Sequence, residues 1–137
     1  MRRRKCSKIL IVLAALAACD LIAGCGSIQW QYNYDKAQGE AVQQRRRMIV
    51  EFASAASMAC QEMDAKVFTN AEVRQLMQRF LPVRLDTVFQ RDLARKFGVQ
   101  TTPTFFVIRP DGQIVGSYAG KMDAEKFRVF LIKYSYN

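Results

Sequence analysis

The stretch that decides the fold is Met48-Ile49-Val50-Glu51-Phe52-Ala53-Ser54-Ala55-Ala56-Ser57-Met58-Ala59-Cys60. Its apolar first part, residues 48–52, is typical of a strand that is buried on both faces in a parallel sheet. The small residues 54–59 predict a loop, and we expect a helix to continue over residues 60–66. A strand that passes through a short loop into a helix indicates an α/β fold.

Sequence patterns on both sides of this stretch predict alternating helices and strands. The expected elements are an N-terminal helix over residues 34–44, a helix from the capping-box spacing of residues 69–72 to Pro82, a strand over residues 83–88, a helix over residues 92–97 closed by Gly98, a strand over residues 104–108, a hairpin turn at residues 109–112, a strand over residues 113–118 and a last helix capped by Asp123. Parallel strands joined by helices therefore precede an antiparallel pair. This order predicts a central mixed sheet flanked by helices.

The N-terminus has the pattern of a bacterial lipoprotein leader. Residues 2–8 are largely basic, and eleven apolar residues follow at 9–19, too few to span the ~30 Å hydrocarbon core of a membrane but typical of a signal peptide. Ile22-Ala23-Gly24-Cys25 then resembles a lipobox, whose cysteine is acylated before cleavage. The predicted parts are a signal peptide at residues 1–24, a lipidated N-terminus and tether at 25–33 with the lipid on Cys25, and one domain at 34–137. A plain secretory leader with a chance cysteine is the alternative.

Composition and charge limit the functional classes. Half of the 137 residues are apolar, which suffices for one domain with a core. The formal charge of +9 falls once residues 1–24 are set aside, because sixteen basic and eleven acidic residues remain, and this balance does not indicate a nucleic-acid partner. The absence of histidine excludes Cys-His and Ser-His catalysis, and no ligand spacing indicates a metal or another cofactor.

Two further features concern cysteine and arginine. Cys6 and Cys19 leave with the leader and Cys25 carries the lipid, so we expect Cys60 to be the only free thiol, without an intramolecular disulfide. The triplet Arg45-Arg46-Arg47 is interpreted as the solvated end of a helix, and contact with anionic lipid is the alternative.

Residues 48–60 and the later Thr102-Pro103-Thr104 together resemble the thioredoxin superfamily, over roughly residues 30–134. Further segments are similar to the periplasmic C-terminal domain of the disulfide reductase DsbD and to related thioredoxin-like lipoproteins. These segments are residues 67–73, 98–103 and 120–127. The resemblance implies a thioredoxin-like fold, held by its lipid on the extracytoplasmic side of the bacterial cell envelope.

The resemblance also implies a site. The family's redox chemistry uses Cys-x-x-Cys at the N-terminus of a helix, where the first thiol is exposed and its thiolate is favoured. The matching residues here are Ser57 and Cys60, so the attacking thiol is missing and Cys60 takes the place of the buried second thiol. Glu51 stands where the family has a buried acid and Pro103 where it has a cis-proline, whereas Ala56 replaces the usual tryptophan.

Two functional hypotheses follow. In the first, the site binds an extended peptide or an envelope protein without redox catalysis. The residues expected to bind are Ser57, Met58, Ala59, Thr102 and Pro103. In the second, Cys60 acts as a single-thiol oxidoreductase with Glu51 as its proton relay. The simpler interpretations are a small buried hydrophobe for Cys60, an acid satisfied by lysine or water for Glu51, and a purely structural lipoprotein for the whole chain.

Overall fold

A four-stranded mixed sheet flanked by helices organises residues 26–135, the part of the chain that the computed structural model describes. The elements are α1 (Tyr34–Gln44), β1 (Met48–Ala53), α2 (Met58–Glu62), a π-helical turn (Met63–Val67), α3 (Ala71–Met77), β2 (Leu81–Asp86), α4 (Arg91–Lys96), β3 (Thr104–Ile108), β4 (Ile114–Ala119) and α5 (Ala124–Ser135). The predicted fold class is confirmed.

The predicted signal peptide and lipidation at Cys25 lie outside the described residues. Within residues 26–135, no helix has the length and apolarity that crossing a membrane requires.

The strands lie in the order β2-β1-β3-β4. β1 runs parallel to β2 and antiparallel to β3, and β3 and β4 form the antiparallel hairpin. In this register Glu51 on β1 stands opposite Arg84 on β2 and Phe105 on β3. The carboxyl ends of β1 and β2 therefore meet the beginning of β3 at one end of the sheet.

Two hydrophobic clusters cover the faces of the sheet. All six residues of β1 are buried, as expected of a central strand covered on both sides. One cluster joins Ile49 to Phe127 of α5, and the other joins Val50 to Ala41 of α1. Successive residues of β1 thus pack on opposite faces.

Residues ahead of α1 also contact the sheet. Gln31 lies parallel to β2, since its N–H donates to the carbonyl of Pro82 at 2.9 Å and its own carbonyl accepts from the N–H of Arg84 at 2.8 Å. Trp30 packs edge to face on Phe68, with 5.3 Å between the ring centroids. Part of the segment expected to be a tether therefore packs on the domain.

The prediction that Pro82 ends the helix before it is wrong. α3 ends at Met77, and Pro82 lies inside β2, opposite Ile49. The carbonyl of Pro82 points to Gln31, away from β1, so the N–H that proline lacks would also lie on that outer side. The proline therefore removes no hydrogen bond between β1 and β2.

Side-chain caps shift the helix boundaries by smaller amounts. Asn70 caps α3 in place of Thr69, because its Oδ1 accepts from two N–H groups of the first turn at 3.0 and 3.1 Å. The helix expected over residues 60–66 begins earlier, at Met58, because Ser57 supplies its cap, and its second half is the π-helical turn.

Candidate functional site

Ser57 links two elements at the carboxyl end of β1. It is the N-cap of α2, and its Oγ accepts from the N–H of Cys60 at 3.3 Å. The same hydroxyl donates to the carbonyl of Thr102 at 3.1 Å. Serine is favoured as an N-cap because its oxygen satisfies an N–H that the helix leaves unpaired. The hydroxyl therefore donates and accepts within the fold.

Cys60 lies in the first turn of α2 with 3% of its surface exposed. It is the only cysteine among residues 26–135, and its thiol is free. With serine at position 57, no disulfide can form across this turn. The burial of Cys60 agrees with its interpretation as a small buried hydrophobe.

The loop before β3 lies against this turn. The Thr102–Pro103 peptide bond is cis, and Pro103 is buried with its carbonyl accepting from the N–H of Gly120 at 2.8 Å. The hydroxyl of Thr104 donates to the carbonyl of Thr101 at 2.7 Å. Among residues 26–135, no group pairs with the N–H of Thr102. Ser57 and this loop are therefore brought together, as the resemblance implies.

A cleft of about 490 Å³ opens beside Thr102. One wall is α4, with Arg91, Ala94 and Arg95, and the other is residues 99–102. Of the five residues predicted to bind, only Thr102 lines this cleft. Sequence reasoning missed the wall formed by α4, because no local motif marks it.

The other residues predicted to bind lie next to the cleft and not in its walls. Met58 is 75% exposed, Ser57 and Ala59 are half-buried and Pro103 is buried. They form the turn at the start of α2 and the cis bond that follows Thr102. The structure therefore separates the predicted residues into one that lines the cleft and four that border it.

The loop between β2 and α4 adds exposed apolar surface at this end of the sheet. Phe89 is 85% exposed and Val88 is half exposed. The prediction that Val88 belongs to a strand is wrong, because Asp86 accepts from the N–H of Val88 at 2.7 Å and β2 ends there. An apolar pair in a loop is the sequence signal that indicates this surface.

The chemistry of the cleft is polar and basic. Arg95 pairs with Asp92, whereas the Nε of Arg91 donates to the carbonyl of Val88 at 3.2 Å. Across residues 26–135, no three cysteine or acidic side chains lie close enough together to hold a metal ion. The polar side chains that line the cleft carry hydroxyl, amide and guanidinium groups.

Glu51 is fully buried on β1. Its Oε2 accepts from the Nε of Arg84 at 2.7 Å, while its Oε1 has no partner among the described residues. Burial raises the pKa of Glu51 from 4.5 to about 7, although Arg84 counteracts part of the rise. This carboxyl group can therefore exchange a proton near neutral pH.

Arg84 is the neighbour of Glu51 that sequence reasoning missed, since lysine or water was expected there. Its Nη2 lies 2.5 Å from Oδ1 of Asp64, and its guanidinium group lies 4.6 Å from the ring centroid of Trp30 and 5.2 Å from that of Phe68. The alternation of apolar and charged residues over Val83-Arg84-Leu85-Asp86 is the sequence signal that could have indicated a strand with Arg84 on one face.

Known proteins agree with this fold. Residues 34–135 match the family model described as a thioredoxin-like domain. No curated protein matches the chain. Solved structures of the same architecture also match the chain, and a thioredoxin, a DsbD domain and an oxidoreductase are among them.

The solution structure of a thioredoxin from Thermus thermophilus has a TM-score of 0.70 and 28% identity, with 79% of this chain and 87% of that chain covered. The C-terminal domain of DsbD from Neisseria meningitidis, in the reduced form, has a TM-score of 0.64 and 22% identity, covering 72% and 91%. The DsbH oxidoreductase has a TM-score of 0.68 and 15% identity, covering 90% and 94%. Since the family model spans most of the domain, the chain belongs to the thioredoxin-like family.

Proposed function

We propose that this chain is a lipoprotein of the bacterial cell envelope that binds an extended protein segment and does not catalyse dithiol exchange. The observation that carries the proposal is Ser57, at the position of the first thiol in Cys-x-x-Cys relatives. Thiol–disulfide exchange needs a thiolate as the attacking group, and a hydroxyl cannot replace it. The burial of Cys60 adds support, because a thiol with 3% exposure offers little access to a substrate disulfide.

The loop before β3 supports a β-type contact with a peptide. The N–H of Thr102 has no partner among the described residues, and an extended peptide pairs with such an open backbone group. The carbonyl of Thr102 keeps a second lone pair beside the bond from Ser57. The cleft of about 490 Å³ has room for side chains of the bound segment, and Met58 and Phe89 offer apolar contact nearby.

The location at a membrane rests on the sequence. A lipid on Cys25 would hold the domain at the bilayer surface, and a partner bound beside Thr102 would be recruited there. The support is the basic and apolar leader of residues 1–24, followed by the lipobox pattern.

A single-thiol oxidoreductase is the second candidate. It is favoured by the retention of Cys60 at the second thiol position and by the name of one structural neighbour, the DsbH oxidoreductase. In that mechanism the Cys60 thiolate would attack a substrate disulfide, form a mixed disulfide and release the other sulfur as a thiolate. Glu51, with its pKa of about 7, would accept the proton of the Cys60 thiol.

A binding experiment on the purified full chain distinguishes the two. Peptides displayed on phage are selected on the full chain, and the affinity of the binders is measured for variants. Thr101→Trp fills the cleft and should weaken binding about tenfold or more, which corresponds to ~1.4 kcal/mol. Ser117→Trp, exposed on β4 outside the cleft, is the matched control. Cys60→Ala should leave the affinity unchanged. Capture of a peptide that requires Cys60 and is reversed by a reductant would instead favour the single-thiol oxidoreductase.

A further inference from the structure

Basic side chains gather at the end of the domain where β1 begins, opposite to the cleft. We define this basic end by six residues: Arg45, Arg46, Arg47, Arg79, Arg109 and Lys133. The backbone brings their segments together, because the N–H of Leu81 donates to the carbonyl of Arg47 at 2.9 Å and Met48 pairs with both Leu81 and Ile108. α1 and α3 end beside these strands, and α5 ends there too, since Arg47 donates to a carbonyl in its last turn at 2.7 Å.

The basic end carries the whole excess of positive charge in the described chain. Residues 26–135 contain sixteen Lys and Arg and eleven Asp and Glu. Asp111 is the one carboxylate of the described residues at this end, 3.5 Å from Arg109, so the remainder holds ten basic and ten acidic side chains. Glu40 and Arg74 each lie about one turn from this end, in α1 and α3, and including both would leave the net charge of the basic end unchanged.

Structural roles explain part of this cluster. Arg46 donates to the carbonyl of Gln78 at 2.8 Å, and Arg47 donates to that of Tyr134 at 2.7 Å. These bonds satisfy carbonyls near helix C-termini, where positive charge is favourable. Arg45, Arg109 and Lys133, however, are exposed to solvent. The end of the domain therefore presents a positive surface.

The chain reaches the sheet from the same end. Gln31 runs parallel to β2, donating to Pro82 at 2.9 Å and accepting from Arg84 at 2.8 Å. β2 begins with Leu81 at the basic end, so the residues before Gln31 approach from that side. An anchor at Cys25 would therefore draw the basic end, and not the cleft, toward the bilayer.

We propose that the basic end binds the anionic phospholipid surface of the membrane to which the chain is anchored. The inference rests on the lipid anchor in the proposed function. Arginine and lysine are attracted to anionic headgroups over about one Debye length, ~10 Å at about 0.1 M salt. Thr102 and the cleft then face away from the bilayer, where a peptide partner reaches them.

Amine labelling of the full chain tests this orientation. The purified chain is reconstituted from detergent into vesicles of phosphatidylcholine alone or of phosphatidylcholine mixed with phosphatidylglycerol, and is treated with a membrane-impermeant amine reagent. Mass spectrometry measures the extent of labelling at Lys133, in the last turn of α5, and at Lys36, in the first turn of α1. Lys36 is the internal control, because α1 places it roughly 12 Å from the basic end at about 1.5 Å per residue.

Anionic lipid should lower the labelling of Lys133 several-fold relative to Lys36, and about 1 M salt, where the Debye length is ~3 Å, should restore it. Arg45→Glu combined with Arg109→Glu should abolish the protection. Lys66→Glu combined with Lys96→Glu makes the same change in net charge at exposed positions away from the basic end. This control should keep the protection of Lys133 by anionic lipid.

An equal labelling ratio on both kinds of vesicle would overturn the inference. Protection already present in detergent or on phosphatidylcholine alone would also overturn it, because a second copy or a protein partner would then cover this end. Flotation with phosphatidylcholine vesicles tests the anchor separately. A chain that does not float contradicts the anchor in the proposed function, whereas the labelling ratio on anionic vesicles still decides where the basic end lies.

Discussion

A single oxygen atom sets the chemistry at the start of α2. The Oγ of Ser57 accepts from Cys60 and donates to Thr102, at 3.3 and 3.1 Å. A thiol makes weaker hydrogen bonds than a hydroxyl but ionises far more readily. At this position a fixed contact between α2 and the loop before β3 therefore replaces a reactive group.

Ser57→Cys should give the full chain disulfide reductase activity, whereas the proposed function predicts negligible activity for the wild type. The new thiol would lie at a helix N-terminus, which lowers a thiol pKa from about 8.5 toward neutrality, and Cys60 could then displace the mixed disulfide. An insulin-reduction assay measures the gain. Ala56, where the family usually has tryptophan, should keep the rate below that of ordinary relatives.

Ser57→Ala is the control for this variant, because it removes the hydroxyl without adding a thiol, and it should be inactive. Substantial turnover by the wild type that Cys60→Ala abolishes would refute the non-catalytic proposal and favour the single-thiol enzyme.

Glu51 makes stability depend on pH in the direction opposite to that of most carboxyl groups. Its pKa is raised from 4.5 to about 7, so the folded chain holds a proton that the unfolded chain releases. The contribution of Glu51 to the free energy of unfolding is therefore present below pH 4.5 and is lost as the pH rises to about 7. The loss amounts to at most about 3 kcal/mol, at ~1.4 kcal/mol per pKa unit.

Glu51→Gln removes this titration while keeping the shape of the side chain. Urea unfolding of wild type and variant at several pH values should show the variant gaining relative stability as the pH rises through this range. Other carboxyl groups titrate in both proteins and cancel in the difference. If the free energies of unfolding of wild type and variant changed with pH in parallel, Arg84 would keep Glu51 ionised throughout, contrary to the prediction.

At the scale of elements, β4 and α5 meet so closely that one position has no room for a Cβ unless a neighbouring side chain moves. A Cβ on Gly116 would lie 2.4 Å from Cζ of Tyr134. That ring packs on Phe130, with 5.1 Å between the centroids, so making room for a Cβ would disturb this contact. Gly116→Ala should therefore lower the free energy of unfolding by about 1–3 kcal/mol, as overpacking does.

Gly39→Ala is the matched control, since Gly39 lies inside α1 with nothing within 4 Å of a Cβ. It should raise the free energy of unfolding by roughly 0.5–1 kcal/mol, because alanine favours a helix more than glycine does. Urea midpoints of both variants provide the comparison. A Gly116→Ala chain as stable as wild type would show that the tyrosine ring moves aside at no cost.

Elements with a clear apolar pattern are the ones that the sequence predicts best. β3 covers residues 104–108 as predicted, and a strand buried on both faces is a continuous apolar run. α1 covers residues 34–44 as predicted, although its pattern is only weakly helical. Boundaries that depend on one side chain are harder, because Thr69 and Asn70 are both good caps. Pro82 was assigned wrongly because the sequence does not show that β2 is an edge strand.

At the scale of the whole molecule, the sequence predicts site residues that belong to local motifs but not those that only long-range pairing brings together. Ser57, Cys60 and Pro103 belong to short motifs and were found from the sequence. Arg84 lies 33 positions from Glu51, and only the pairing of β1 with β2 brings the two together. The cleft likewise depends on how α4 packs beside residues 99–102, which no local pattern records.

Trp30→Ala should destabilise the whole domain, although this residue precedes the first helix. Its ring covers both Phe68 and the guanidinium group of Arg84, so its removal exposes a core residue and a buried ion pair to water. We expect a loss of about 2 kcal/mol, less than for a fully buried tryptophan. Urea unfolding is followed by circular dichroism, because Trp30 is the only tryptophan of the chain.

Tyr32→Ala is the control for this variant, since Tyr32 is 67% exposed and its loss should change stability by less than about 0.5 kcal/mol. Equal midpoints for Trp30→Ala and wild type would mean that the residues ahead of α1 serve only as a tether.

Oxidants and reductants leave the bond between Ser57 and Thr102 unchanged, because a hydroxyl and a carbonyl do not take part in thiol–disulfide exchange. A dithiol at this position would exist in two forms, and the fraction of each would follow the reduction potential of the surroundings. With serine at position 57, the turn cannot alternate between a dithiol and a disulfide. A partner that docks here would therefore meet the same surface under oxidative stress and under reducing conditions, and its affinity would not vary with the ambient potential.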